Sequence, residues 1–215
     1  MPALIENSKL LPLVFLIDTS GSMDSIIVAV EQCLKDLMVE IAQWSSTKAL
    51  HVTVTVIGFS NQASFLVGTE KGGIDVAKVV IPPLTASGST AMNDAFDKTA
   101  LLFNTSFDSS LKYAKPSVIL VSDGHPNESI SLNTILATPL GKASNRLSIA
   151  FGSHADEAAL KSFMSPNLAK EVGVLTSQSS SELTKHIREA TFIAMGNNGD
   201  KPTSQIASAA ESMVV

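Results

Sequence analysis

The sequence predicts an α/β fold, a doubly wound and mostly parallel sheet with helices on both faces. Three observations carry that expectation. Leu13–Ile17 and Val118–Val121 are unbroken apolar runs, the pattern of strands buried on both faces. Each run ends abruptly in polar residues, Asp18-Thr19-Ser20-Gly21 and Ser122-Asp123-Gly124. Between and after them, stretches with apolar residues at three-and-four spacing alternate with further β-branched runs, which is the signature of β-α-β units.

Taken in order, residues 1–9 read as a leader, 10–196 as one domain and 197–215 as a flexible tail. The first strand is Leu13–Ile17. Gly21 permits a tight turn after it, and Asp24 and Ser25 are suited to cap the helix that follows. That helix is predicted from about Ser25 to Trp44, with Ile26, Val30, Cys33, Leu34, Leu37, Ile41 and Trp44 on one face. Cys33 and Trp44 are therefore expected to pack in the core. His51–Phe59 reads as the second strand, and Ala63–Val67 as a short antiparallel edge strand after a turn at Asn61-Gln62. Residues 74–81 are ambiguous, and Pro82-Pro83 ends them. Thr85–Thr90 is a hydroxyl-rich loop, and Ala91–Phe103 is predicted helical with Phe96, Ala100 and Phe103 buried. After the Val118–Val121 strand, the sequence predicts a helix over 130–140, a strand over 146–151, a short helix over 156–164 and a strand over 171–175. A closing helix is predicted over 181–195, with Leu183, Ile187, Ala190 and Ala194 on its apolar face.

Composition narrows the class. The chain has 215 residues, enough for one good α/β core and too few for two ordinary domains. It is 45% hydrophobic and 16% charged, which favours a globular chain over disorder. The net charge is −5 with no Lys/Arg run, so nucleic acid is not an expected partner. The opening apolar stretch is too short to span a bilayer and is not preceded by a basic segment, so neither membrane insertion nor a signal peptide is expected. Cys33 is the single cysteine, which excludes an internal disulfide and suits a reducing cytoplasm.

The strand-end residues carry the functional reading. Asp18, Ser20 and Ser22 alternate along a strand-to-helix loop, so all three oxygens can point to one side. In open α/β sheets that carboxyl edge is where ligands bind. Hard oxygens suit Mg²⁺, Mn²⁺ or Ca²⁺ rather than zinc or copper. One carboxylate holds a divalent ion poorly, so further donors are needed, and the loop ending at Thr90 and the strand end at Asp123 supply them. Taken alone, Asp18 is a common kind of strand-end carboxylate that does no more than cap a helix. The five together point to a metal site.

Asp18-x-Ser20-x-Ser22, Thr90 in Gly88-Ser89-Thr90, and Asp123-Gly124 resemble the metal-ion-dependent adhesion site of von Willebrand factor type A domains, in the family's order. The resemblance covers roughly residues 10 to 195. It implies a six-stranded sheet of order 3-2-1-4-5-6 with strand 3 antiparallel. It also implies that Ser20 and Ser22 ligate the metal directly, Thr90 directly or through water, and Asp18 and Asp123 largely through water or hydrogen bonds. A first shell of neutral hydroxyls and water leaves the cation short of negative charge, so a Glu or Asp of a partner protein completes it. The wording Leu-Ile-Asp-Thr-Ser-Gly-Ser-Met looks most like the bacterial branch associated with tellurite resistance, which implies a protein kinase or phosphatase of the same stress-response system as partner.

Two other functions compete. A metal-dependent hydrolase or phosphatase would need a general base, and His125 is the one candidate beside the site. A scaffold with a structural ion would use the metal for stability alone. No Gly-x-Gly-x-x-Gly or Walker loop is present, and Ser20 stands where a haloacid-dehalogenase loop needs an acid. The expectation is a non-enzymatic interaction module. Asp24, Asp94 and Glu128 are expected on the rim in capping or surface roles, and Met23 and Met92 as packing residues.

Overall fold

β1 (Lys9–Asp18) is the axis on which the fold is wound. It pairs in parallel with β2 (Leu50–Phe59) on one side and with β5 (Ser117–Ser122) on the other. These coordinates come from a computed structural model that describes residues 9–48, 50–153 and 155–196. Of the expected leader only Lys9 is described, and it opens β1; the expected tail over 197–215 lies outside the described residues.

From β2 the sheet continues to β3 (Ala63–Val67), which is antiparallel. From β5 it continues in parallel to β6 (Asn145–Phe151) and β7 (Leu175–Ser177). The order is thus β3-β2-β1-β5-β6-β7, as the resemblance implied. One addition is β4 (Ile74–Asp75), a two-residue strand antiparallel to β2, which makes seven strands among the described residues. The ambiguous segment 74–81 resolves into this strand followed by a single 3₁₀ turn at Val76–Lys78, with Asp75 accepting from the Ala77 N–H at 2.9 Å.

Strand alternation explains why β1 is apolar throughout. Leu13, Phe15 and Ile17 pack into one core with α1 (Ile27–Ser46) and α7 (Ser180–Gly196). Val14 and Leu16 point the other way. There they meet α2 (Met92–Thr105), the short helices α3 (Asn133–Ala137) and α4 (Pro139–Ala143), and α5 (Glu157–Phe163). Cys33 lies in the first core at 2% exposure and its Sγ donates to the Thr184 carbonyl at 3.5 Å. Trp44 packs edge-on against Phe192. No described helix is long and apolar enough to cross a membrane.

Three expectations need correction. The helix predicted over 130–140 is two, α3 and α4, because Pro139 cannot continue the first and forces Thr138 into extended backbone. Thr138 then caps α4 by accepting from the Gly141 N–H. The strand predicted over 171–175 starts only at Leu175, and an unforeseen helix, α6 (Pro166–Glu171), precedes it. Pro166 suits the first helical position, and Gly173, at φ +74°, turns the chain between the two elements. Asp24 and Ser25 do not cap α1. A 3₁₀ turn at Gly21–Met23 intervenes, and Ile26 holds the cap position without a side-chain bond.

Candidate metal centre

β1 and β5 are sequence-distant neighbours at which the strand order reverses, and in open α/β sheets ligands bind beyond the carboxyl ends of such a pair. Asp18 ends β1 and is completely buried. One carboxylate oxygen accepts from the Ser20 N–H at 2.8 Å, and the other accepts from the Ser122 hydroxyl at 2.5 Å. Ser122, itself fully buried at the end of β5, accepts in turn from the Gly124 N–H at 2.9 Å. Burial pushes the Asp18 carboxyl above its usual range; the donors on Ser122 and Ser20 pull it back, and the charge of Asp123 adds to the upward shift. A cation here would favour the ionised form.

The hydroxyls of Ser20 and Ser22 lie 3.0 Å apart. Two oxygens on one edge of an octahedron with metal–oxygen bonds of about 2.1 Å are separated by about 3.0 Å, so this pair suits a small, hard, octahedral ion. Ser20 is 2% exposed and Ser22 is exposed, so the edge runs from the protein interior toward solvent.

The loop carrying Thr90 is held against the first loop by main-chain bonds. The Gly21 N–H donates to the Gly88 carbonyl at 3.0 Å and the Ser87 N–H to the Thr19 carbonyl at 2.8 Å, while the Ala91 N–H donates at 2.7 Å to Ser60 in the turn between β2 and β3. Gly88 sits at φ +80°, and a Cβ there would come within 2.7 Å of the Asn61 side chain, so this position requires glycine. At the base of the loop, Glu31 on α1 accepts from the Leu84 N–H at 2.8 Å and pairs with Lys35 at 2.6 Å. Lys35, then the Leu84 bond, hold the Glu31 carboxyl below the usual range.

Asn127 ties the Thr90 loop to the stretch after β5. Its side-chain oxygen accepts from the Thr90 N–H and its own N–H donates to the Thr90 carbonyl, both at 3.0 Å. Thr90 is 6% exposed, and Asp123, the residue just after β5, is partly exposed. The five residues singled out from the sequence therefore lie on three loops tied to one another at the same sheet edge. Among the described residues no group of three or more His, Cys, Asp and Glu is placed to hold a metal. The oxygens these five side chains could offer are those of two carboxylates and three hydroxyls, a set that suits a hard cation and not a soft one.

Ser122, Asn61 and Asn127 escaped the sequence reading. Ser122 carried one signal, a polar residue closing an apolar strand. Asn61 and Asn127 carried only turn chemistry. His125 is exposed and lines a recess of about 390 Å³ with Glu128, Ser129 and Asp156. Met23 and Met92 are fully buried packing residues, while Asp24 and Asp94 are exposed.

The von Willebrand factor type A domain profile matches residues 13–190, and the chain belongs to that family. Among solved structures, a von Willebrand factor type A protein from Catenulispora acidiphila superposes with a TM-score of 0.63 at 20% identity, over 87% of this chain and 43% of that one. The ArnB paralog VWA2 of Sulfolobus acidocaldarius gives 0.54 at 18%, over 83% and 44%. Proximal thread matrix protein 1 from the mussel byssus, solved with a zinc-occupied metal-ion-dependent adhesion site, gives 0.55 at 16%, over 85% and 48%. The chain thus spans less than half the length of each of these structures. No curated protein matches in a sequence comparison.

Proposed function

We propose that this domain is a divalent-metal-dependent protein-interaction module. Asp18, Ser20, Ser22, Thr90 and Asp123 form an adhesion-type site for Mg²⁺ or Mn²⁺. The observation that carries the reading is the 3.0 Å edge between the Ser20 and Ser22 hydroxyls, set beside a buried Asp18 that two donors hold in place. Ser20, Ser22 and Thr90 offer neutral oxygens. Asp18 is engaged by Ser20 and Ser122 and acts through hydrogen bonds and charge, and Asp123 contributes charge from the rim. When bound, the cation supplies Lewis acidity toward one further anionic oxygen. A Glu or Asp side chain of a partner protein provides that oxygen, and the role is binding rather than catalysis. The resemblance to the tellurite-resistance branch makes a kinase or phosphatase of a stress-response system the partner to test first, in the cytoplasm.

The decisive experiment is calorimetric titration of Mg²⁺ and Mn²⁺ into the wild-type chain and into Ser20→Ala/Ser22→Ala. Saturable binding in the wild type alone is the expected result. Equal binding in both proteins, or in neither, overturns the assignment of the site. Partner binding that survives both EDTA and Asp18→Ala overturns the role of the metal in recognition.

A further inference from the structure

We propose that Asn127 is a positioning residue that locks the Thr90 loop to the Asp123 loop, so that these two arms of the site meet a cation as one body. The inference rests on the metal-binding reading above. Its basis is a closed pair of hydrogen bonds: Asn127 offers Thr90 both an acceptor, its side-chain oxygen, and a donor, its main-chain N–H, each at 3.0 Å. Thr90 is thereby held at its amide and its carbonyl by a single residue, much as a partner strand would hold it. The Asn127 amide nitrogen also donates to the Ser89 hydroxyl at 3.0 Å. Ser89 is also held by Asn61, whose side-chain oxygen accepts from both the Ser89 N–H and its hydroxyl at 2.9 Å.

The asparagine carboxamide presents the acceptor that Thr90 takes and the donor that Ser89 takes within one planar group; aspartate keeps the first and loses the second. Pro126 restricts φ just ahead of Asn127 and shortens the freedom of the link back to Asp123. Asn127 itself is exposed, so its truncation opens no cavity in the core. What the truncation does remove is the side-chain part of the tie, the bonds to the Thr90 amide and the Ser89 hydroxyl, leaving one main-chain bond between two loops whose oxygens must hold metal distances to within about 0.2 Å.

The test compares wild type, Asn127→Ala, Asn127→Asp, Thr90→Ala and the double variant Asn127→Ala/Thr90→Ala. Two readouts are used, Mg²⁺ affinity by calorimetry and hydrogen exchange at the Thr90 amide in metal-free protein. Asn127→Ala is expected to weaken Mg²⁺ binding about 10-fold, the loss typical of an outer-shell partner, and to strip the Thr90 amide of protection. Asn127→Asp retains the acceptor and is expected to retain that protection. In the Thr90→Ala background, Asn127→Ala is expected to add little further loss of affinity, because it acts through Thr90. An unchanged Thr90 amide in Asn127→Ala, or additive losses in the double variant, overturns the proposal. If wild type takes up no Mg²⁺, the metal reading fails by itself, and exchange at Thr90 alone then decides the lock, upheld by lost protection and overturned by unchanged protection. Asn127→Ser serves as the removal variant should the alanine protein not fold.

Discussion

Replacing Ser122 by alanine removes a side-chain link between the two central strands beneath the candidate metal site. Its hydroxyl is fully buried, donates to the Asp18 carboxylate at 2.5 Å and accepts from the Gly124 N–H at 2.9 Å. A hydrogen bond to a charged group contributes about 1.5–3 kcal/mol, and a buried donor left unpaired costs about 1–3 kcal/mol. Local relaxation recovers part of this, so the expected loss is about 3 kcal/mol. For a domain of this size that corresponds to a fall in Tm of roughly 6–12 °C. Mg²⁺ affinity is expected to drop about 10-fold, because Asp18 loses one of the two donors that fix its carboxylate. Chemical denaturation in EDTA isolates the first effect, and calorimetry measures the second. Ser148→Ala is the control: Ser148 is equally buried, but donates at 2.9 Å to the uncharged Leu160 carbonyl, far from the site in sequence. It is expected to cost about 1 kcal/mol and to leave Mg²⁺ binding unchanged. A Ser122→Ala protein no less stable than Ser148→Ala, with unaltered Mg²⁺ affinity, would refute the reasoning.

Other perturbations test the rest of the framework. Arg146 is buried, and its guanidinium donates to the Phe163 and Gly141 carbonyls and to Ser144; burial alone lowers its pKa. Arg146→Met removes the donor to the Phe163 carbonyl at the end of α5, while the Gly141 carbonyl keeps the Ser144 N–H and hydroxyl, and is expected to cost about 1–3 kcal/mol in urea denaturation, without altering the metal-linked shift in Tm. Phe96 and Phe163 stack at 5.3 Å with neither exposed. Each alanine substitution should cost about 3–5 kcal/mol, and a double-mutant cycle should return a coupling of about 1 kcal/mol. Burial pushes the Cys33 thiol up to about 11, so alkylation at pH 8 should be slow in the native protein and fast in urea. Because the folded value lies above the ordinary 9.0, the thiol's contribution to stability is complete below pH 9 and is lost as pH rises through 11. Denaturation midpoints between pH 8 and 11.5 should therefore fall less in a Cys33→Ala protein than in wild type.

Much of the architecture was legible because its causes are local. The runs at Leu13–Ile17 and Val118–Val121 had to be strands buried on both faces, and they are, with alternate residues feeding separate cores. The closing helix kept its spacing, and Leu183, Ile187, Ala190 and Ala194 are all fully buried. Misreadings arose where a local signal was outvoted. The apolar spacing over 130–140 suggested one helix, yet Pro139 divides it. The β-branched Val172 and Val174 suggested a strand, yet Pro166 starts a helix that runs to Glu171 and only Leu175–Ser177 reaches the sheet.

The sequence by itself determined the alternation of strands and helices, and it set five oxygen-bearing side chains at strand ends and in one loop. Those follow from periodicity and from the abrupt change from apolar to polar residues, which are properties of neighbouring positions. Only the tertiary structure decided what holds these side chains. Asp18 meets Ser122 across 104 positions, Thr90 meets Asn127 across 37, and Ser89 meets Asn61 across 28. A single serine or asparagine in a loop has no periodicity, and its partner is chosen by which strands pair and which loops then share the same edge of the sheet.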